Sequence, residues 1–246
     1  MFNKNVIDTL KSISSITESL VLKYPDTYAI SSERTFLVKL PISQLDQDQF
    51  NDIGFNHSLN DFLSLLNLFD LDKVNVTQEN DIIYLKSDDT NASFITDDIS
   101  LLEQYNIDGS QIERTKQCDT IATFTLNTTD IDKFKKASSA LKNLTDLVFE
   151  SKDGKLTMYL ANTAIINSKS NTYSLDKTAQ TSKEFCVTLL MADFAKIPVT
   201  EYDVEIKYNA NAKRNNYRML LKSKTLENFE IVVCINNIEN TEESIA

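Results

Sequence analysis

Ile7-Asp8-Thr9-Leu10-Lys11-Ser12-Ile13-Ser14-Ser15 returns later in the chain as Ile131-Asp132-Lys133-Phe134-Lys135-Lys136-Ala137-Ser138-Ser139. Five of the nine positions are identical, and Leu10/Phe134 and Ile13/Ala137 stay apolar. A second echo keeps the same order. Asn60-Asp61-Phe62 and then Asp72-Lys73-Val74-Asn75-Val76 correspond to Ala192-Asp193-Phe194 and then Asp203-Val204-Glu205-Ile206. Solenoid units repeat every 20–50 residues or so, far less than this separation. The pattern therefore reads as a duplicated domain, an arrangement suited to pseudo-symmetric assembly.

A chain of 246 residues has room for two such domains, each able to bury its own core. Its apolar fraction of 41% and charged fraction of 25% are those of a globular protein. No apolar run approaches the roughly 18 residues that a membrane-spanning helix needs; Phe62-Leu63-Ser64-Leu65-Leu66 is short and leads into Asp70. Lys4, Asn5 and Asp8 break up the amino-terminal region, so no signal peptide is expected and Asn91-Ala92-Ser93 reads as a chance glycosylation triplet. Cys118, Cys186 and Cys234 have no metal-ligand spacing and read as free thiols in a reducing cytosol. The net charge of −11 argues against simple coating of nucleic acid, although a locally basic face would escape that sum.

Hydrophobic periodicity gives both halves the same content. The first half opens with a helix over 4–16, where Val6, Ile7, Leu10, Ile13 and Ser14 share a face. Strands are expected over 19–23, 27–31, 35–41 and 50–56, followed by a helix over 59–69 capped by Ser58. Three more follow over 73–78, 82–87 and 92–96, the first two joined by a turn at Glu79-Asn80-Asp81. In the second half a strand over 120–126 leads to a helix capped by Thr128 or Thr129 and reaching Lys142, with Asp130 and Asp132 in its first turn. Strands over 147–150 and 156–161 flank the hairpin turn Lys152-Asp153-Gly154-Lys155. Strands over 171–175 and 185–190, a helix over 191–197 stopped by Pro198, and strands over 204–208, 217–222 and 229–235 complete it. The expected division is 1–96, a connector over 97–118, and 119–246.

Little in the chain suggests catalysis. His57 is the only histidine and sits beside a helix start. Three glycines cannot supply a phosphate-cradling loop, and the acidic pairs Asp88-Asp89 and Asp97-Asp98 read as solvated loop charge. No enzyme, cofactor or metal is expected. The lysines say more. On the second-half helix the apolar stripe is Ile131, Phe134, Ala137/Ser138 and Leu141; Lys133 and Lys136 lie opposite it, and Lys135 and Lys142 flank it. Lys4 and Lys11 occupy the flank of the first-half helix, and Lys11 is the repeat equivalent of Lys135. Snorkelling lysines on a solvated face would look the same. Matching lysines on two equivalent helices point further, to one surface that meets phosphates.

In its duplicated units, each β-rich with two helices, the chain resembles the DNA sliding clamps, and most closely the trimeric clamp of T-even-type bacteriophages. The resemblance is carried by Thr9-Leu10-Lys11 through Ser19-Leu20-Val21-Leu22-Lys23, by Phe62-Leu63-Ser64-Leu65-Leu66 through Ser93-Phe94-Ile95, and by Ile131 through Tyr173-Ser174-Leu175 with Asp153-Gly154-Lys155. It implies an α+β DNA-clamp fold: two similar domains, each with two helices packed on antiparallel sheet, assembling as a homotrimeric ring around double-stranded DNA. It implies tethering of a DNA polymerase for processivity, loading by a clamp-loader ATPase, and a place in the cytoplasm of an infected bacterium. A role as mobile activator of late phage transcription belongs to the same family. By position, Lys4, Lys11, Lys133, Lys135, Lys136 and Lys142 become the DNA-contacting candidates. Leu101, Leu102, Tyr105, Ile107, Ile235 and Ile238 become candidates for an apolar partner pocket, although core packing accounts for most of them equally well. One departure from the pattern is that the second helix of each half carries little positive charge: only Lys196, against Asp61 and Asp193. The basic tract Lys213-Arg214 through Arg218 is expected on a peripheral hairpin as a loader or polymerase contact. The residues alone leave open a duplicated acidic interaction module or virion structural protein that never touches DNA.

Overall fold

Val6, Ile7, Leu10 and Ile13 fall at helical spacing, and all four are buried on one side of helix α1 (Lys4–Ile13). The computed structural model describes residues 4–42, 52–165, 171–212 and 216–238, without the side chains of Lys4 and Asn5. Lys213 and Arg214 lie outside the described residues. The chain divides into one unit of Met1–Glu113 with Leu226–Ile231, and another of Arg114–Thr225 with Val232–Ala246.

In the first unit α1 is followed by strands β1 (Leu20–Leu22), β2 (Asp26–Ile30), β3 (Phe36–Pro41) and β4 (Ile53–Phe55). Then come helix α2 (Leu59–Leu66) and strands β5 (Asn75–Glu79), β6 (Ile82–Lys86) and β7 (Asn91–Ile95). β1 pairs with β4, β2 with β3, and β5-β6-β7 form a meander, all antiparallel. Ile83 and Leu85 of β6 are buried while Tyr84 and Lys86 are exposed, the alternation of a sheet with one covered face. Leu59, Phe62, Leu63 and Leu66 bury one face of α2. Phe62 packs between Phe55 and Phe94, with ring centroids 5.3 and 5.2 Å away. A 3₁₀ helix (Ile99–Tyr105) and helix α3 (Ser110–Lys116) follow, and α3 runs across the division between the units.

The second unit repeats the plan. Strand β8 (Asp119–Leu126) precedes helix α4 (Thr128–Ala140) and strands β9 (Asp146–Lys152), β10 (Lys155–Ala161), β11 (Ser174–Lys177), β12 (Ala179–Thr181) and β13 (Phe185–Leu190). The short helix α5 (Met191–Phe194) leads to β14 (Tyr202–Tyr208), β15 (Tyr217–Ser223) and β16 (Glu230–Asn237). The strand order is β11-β10-β9-β13-β16-β15-β14-β8-β12. The pairing of β9 with β13 matches that of β1 with β4, and β10 with β11 matches β2 with β3. The repeat register holds at side-chain level too: Ile7/Ile131, Leu10/Phe134 and Phe62/Phe194 are all fully buried.

Local expectations fail mainly at helix ends. Ser58 precedes α2, yet its backbone is helical (φ −115°, ψ 0°) and its hydroxyl does not cap. It donates instead to Asp97 Oδ2 at 2.7 Å. α4 is capped by Asn127, one residue before the expected threonines. Asn127 Oδ1 accepts from the Asp130 N–H at 2.9 Å, and Asp130 Oδ2 accepts from the Asn127 N–H at 3.3 Å. α2 stops at Leu66 and tightens into a last turn in which the N–H of Phe69 donates to the Leu66 carbonyl. α5 ends at Phe194 in the same way, the Ile197 N–H donating to the Phe194 carbonyl just before Pro198. Helix α3 and strand β12 are not expected from periodicity; both are too short to show one.

Candidate nucleic-acid interface

α4 is built to hold its outward side still. Its capping box fixes the first turn, and Asp130 also receives Lys177 Nζ from β11 at 2.6 Å. The side chains of this pair are only 9% (Asp130) and 12% (Lys177) exposed, so each charge has exchanged water for the other. Phe134 anchors the next turn, meeting Tyr173 at 5.1 Å and Phe194 of α5 at 6.2 Å, both edge-on. With this side buried, Asp132, Lys133, Lys136, Ser139 and Ala140 are exposed, as is Lys142 in the following turn.

The sequence candidates separate into groups. Lys11, Lys133, Lys136 and Lys142 are exposed and make neither ion pair nor side-chain hydrogen bond among the described residues. Lys135 is half-buried, and its ammonium donates to the Ile197 carbonyl at 2.8 Å. That bond straps α4 to the turn after α5. Burial pushes the Lys135 ammonium below the usual lysine range, with the Asp132 charge opposing. Lys4 opens α1. Sheet and loop lysines contrast with the exposed group, since many of them are neutralised: Lys39 by Asp26, Lys177 by Asp130, Lys224 by Glu201, and Lys207 and Lys222 by Glu205. Burial raises the Glu205 carboxyl, but its bonds to Lys207 and Lys222 and their charges outweigh that and hold it below the usual range. Lys196 is paired with Asp193 at 3.5 Å.

Of the apolar candidates in the first unit, Leu102 and Tyr105 are buried, Ile107 is half-buried and Leu101 is 67% exposed. In the second unit Ile235 is buried, while half-buried Ile238 lines a groove of about 530 Å³ with Glu150, Ser151, Lys152, Cys186, Tyr217 and Asn237. Sequence reading missed the groove, because its walls come from β9, β13, β15 and the end of β16, far apart in the chain. Burial and the neighbouring Glu150 carboxylate push the Cys186 thiol up, which keeps it protonated and a poor nucleophile. Exposed His57 adopts a left-handed backbone, φ 58°. No metal-ligand cluster occurs among the described residues, and no helix among them is long and apolar enough to cross a membrane.

Two copies of one unit, each placing a helix pair against antiparallel strands, constitute the DNA-clamp fold. Among solved structures the chain is similar to the Proliferating Cellular Nuclear Antigen of Entamoeba histolytica, at TM-score 0.64 and 13% identity, over 94% of each chain. It is similar also to the PCNA of A. fulgidus solved with the C-terminal region of FEN-1, at TM-score 0.62 and 10% identity, over 97% of each chain. A putative DNA polymerase III beta subunit from Eubacterium rectale matches at TM-score 0.59 and 12% identity, over 96% of this chain and 63% of that one. No family model matches the sequence, and no curated protein matches it. At these identities the likeness is one of fold.

Proposed function

We propose that the protein is a sliding clamp, a ring of three chains that encircles double-stranded DNA and tethers a replicative DNA polymerase. The observation that carries this reading is the partition of its cations. In a chain of net charge −11, exposed unpaired lysines stand on the first helix of each repeat, while many sheet lysines are neutralised. Such a surface contacts phosphates without reading bases, which is what sliding requires. The net negative charge of the chain as a whole disfavours DNA binding away from such a basic surface. Lys133, Lys136 and Lys142 are the principal contacts; Lys4, Lys11 and the partly engaged Lys135 contribute to the same field. Strands β7 and β11 end their sheets with an open edge among the described residues, and pairing of such edges between chains would close a ring.

The clamp works without chemistry of its own. A clamp-loader ATPase opens the ring; the candidate contacts for partner proteins are Leu101 and Ile107, backed by Leu102 and Tyr105, in the first unit, and Ile238, backed by Ile235, in the second. The fine reading is of a phage clamp in the cytoplasm of its bacterial host, where the same mobile ring also activates late transcription. Solution mass measurement and primer extension on primed circular DNA test the proposal together. A trimer that lengthens polymerase products in the presence of a loader is expected. A monomer without effect on product length refutes it and favours an interaction module that does not touch DNA.

A further inference from the structure

The two helix pairs share a fold and differ in charge. In the first unit the exposed acids Asp8, Glu18 and Asp61 outnumber the lysines of α1, Lys4 and Lys11. In the second, Lys133, Lys136 and Lys142 are exposed against Asp132 alone, and Asp193 is already paired with Lys196. The difference arises at equivalent positions. Where α4 carries exposed Lys133, α1 carries Thr9, which is buried; where α4 carries Lys136, α1 carries half-buried Ser12. Ser12 turns its hydroxyl back to the Asp8 carbonyl at 2.8 Å, leaving that position nothing to offer an anion. Ser139 and Ala140, exposed within a turn or two of these lysines on α4, are too small to obstruct a backbone phosphate.

We infer that the phosphate-binding surface belongs to the second unit, and that the first unit's helices serve as a near-neutral wall. This rests on the clamp reading above and refines it. Around a ring, segments that hold DNA alternate with segments that do not, so the duplex is drawn toward α4 rather than held evenly. Screening strengthens the contrast, because at physiological salt a charge is felt over roughly 8 Å and each helix pair acts on its own.

The test titrates a fluorescein-labelled DNA duplex with the full-length protein over a range of KCl concentrations, beside the primer-extension assay. Replacing Lys133 and Lys136 together by Gln is expected to reduce the slope of log K against log salt by about one for each lysine that held a phosphate. Lys11→Gln is expected to lower the slope by well under one, because the exposed acids Asp8, Glu18 and Asp61 offset its charge. A fall of about one with Lys11→Gln, or no fall in the double variant, overturns the assignment to the second unit while leaving the clamp reading in place. Salt-independent binding by the unaltered protein, with primer-extension products no longer than without it, removes both.

Discussion

Replacing Asp130 by Ala makes two losses at once. The Asn127 N–H loses the carboxylate that completes the capping box, and the Lys177 ammonium is left in a site where its side chain is only 12% exposed. The first loss is that of one helix-end hydrogen bond, about 1 kcal/mol. The second is the cost of stranding one partner of a buried pair, about 3–5 kcal/mol, with the lower end applying here because Lys177 keeps some route to solvent. Together the variant is expected to lose about 4 kcal/mol, a large share of the roughly 5–15 kcal/mol that stabilises a domain. Urea unfolding followed by far-ultraviolet circular dichroism measures it, tryptophan fluorescence being ruled out by a chain with no tryptophan.

Two further variants separate the causes. In Asp130→Ala with Lys177→Met the stranded charge is gone, and an apolar side chain of similar length fills its place, so most of the second loss should return. Asp130→Asn keeps an acceptor for the Asn127 N–H but not the charge, and should fall between the single and double variants. The reasoning is refuted if Asp130→Ala costs under about 1 kcal/mol, or if the double variant is no more stable than the single one.

Other consequences follow from Glu205, Gly109 and Gly54. The Glu205 carboxyl is held below the ordinary value of 4.5, so the stability it contributes is present above that pH and is lost as pH falls through its lowered folded value. The stability difference between the unaltered protein and Glu205→Gln, measured by urea unfolding at stepped pH, should therefore be steady at neutral pH and vanish in acid; a constant difference would refute it. Gly109 has φ +72°, and a Cβ there would lie 2.3 Å from the Tyr28 ring, so Gly109→Ala should cost about 2 kcal/mol. Adding Tyr28→Ala should remove the clash but not the backbone strain. A Cβ on Gly54 would lie 2.4 Å from the Asp97 carbonyl, and Gly54→Ala should lower thermal stability without altering the salt dependence of DNA binding.

The fold was legible wherever a periodicity had room to run. Ile131 and Phe134 mark the buried side of α4, and Lys152-Asp153-Gly154-Lys155 marks its hairpin, where Asp153 and Gly154 both take positive φ. The cap of α4 lies one residue before the threonines the sequence suggests, because Asn127, Thr128 and Thr129 are all competent and only the reciprocal bond with Asp130 selects among them. The neighbourhood of Ser58 marks it as a cap and cannot reveal Asp97, 39 residues away, as the acceptor for its hydroxyl. The same limit applies at Lys135. Helical spacing puts it on the flank, but the carbonyl that engages it, at Ile197, is 62 residues distant.

Val6 and Asp130 show that the repeat can keep burial at a position while changing the kind of residue buried there. They are equivalent by the register of Ile7 with Ile131, and both are buried, yet one is apolar and the other charged. An apolar residue there needs only packing. A carboxylate needs a cation, and Lys177 of β11 supplies it at 2.6 Å. Asp130 thus both completes the cap of α4 and, through Lys177, ties its first turn to the sheet, whereas Val6 of α1 is buried by packing. The position shared by half-buried Ser12 and exposed Lys136 carries no such constraint. A duplicated unit can therefore keep its fold while one copy accumulates cations. The copy that did so is also the one whose helix is fastened by a buried ion pair and by the Lys135 strap, which fix the path of the backbone that presents Lys133 and Lys136.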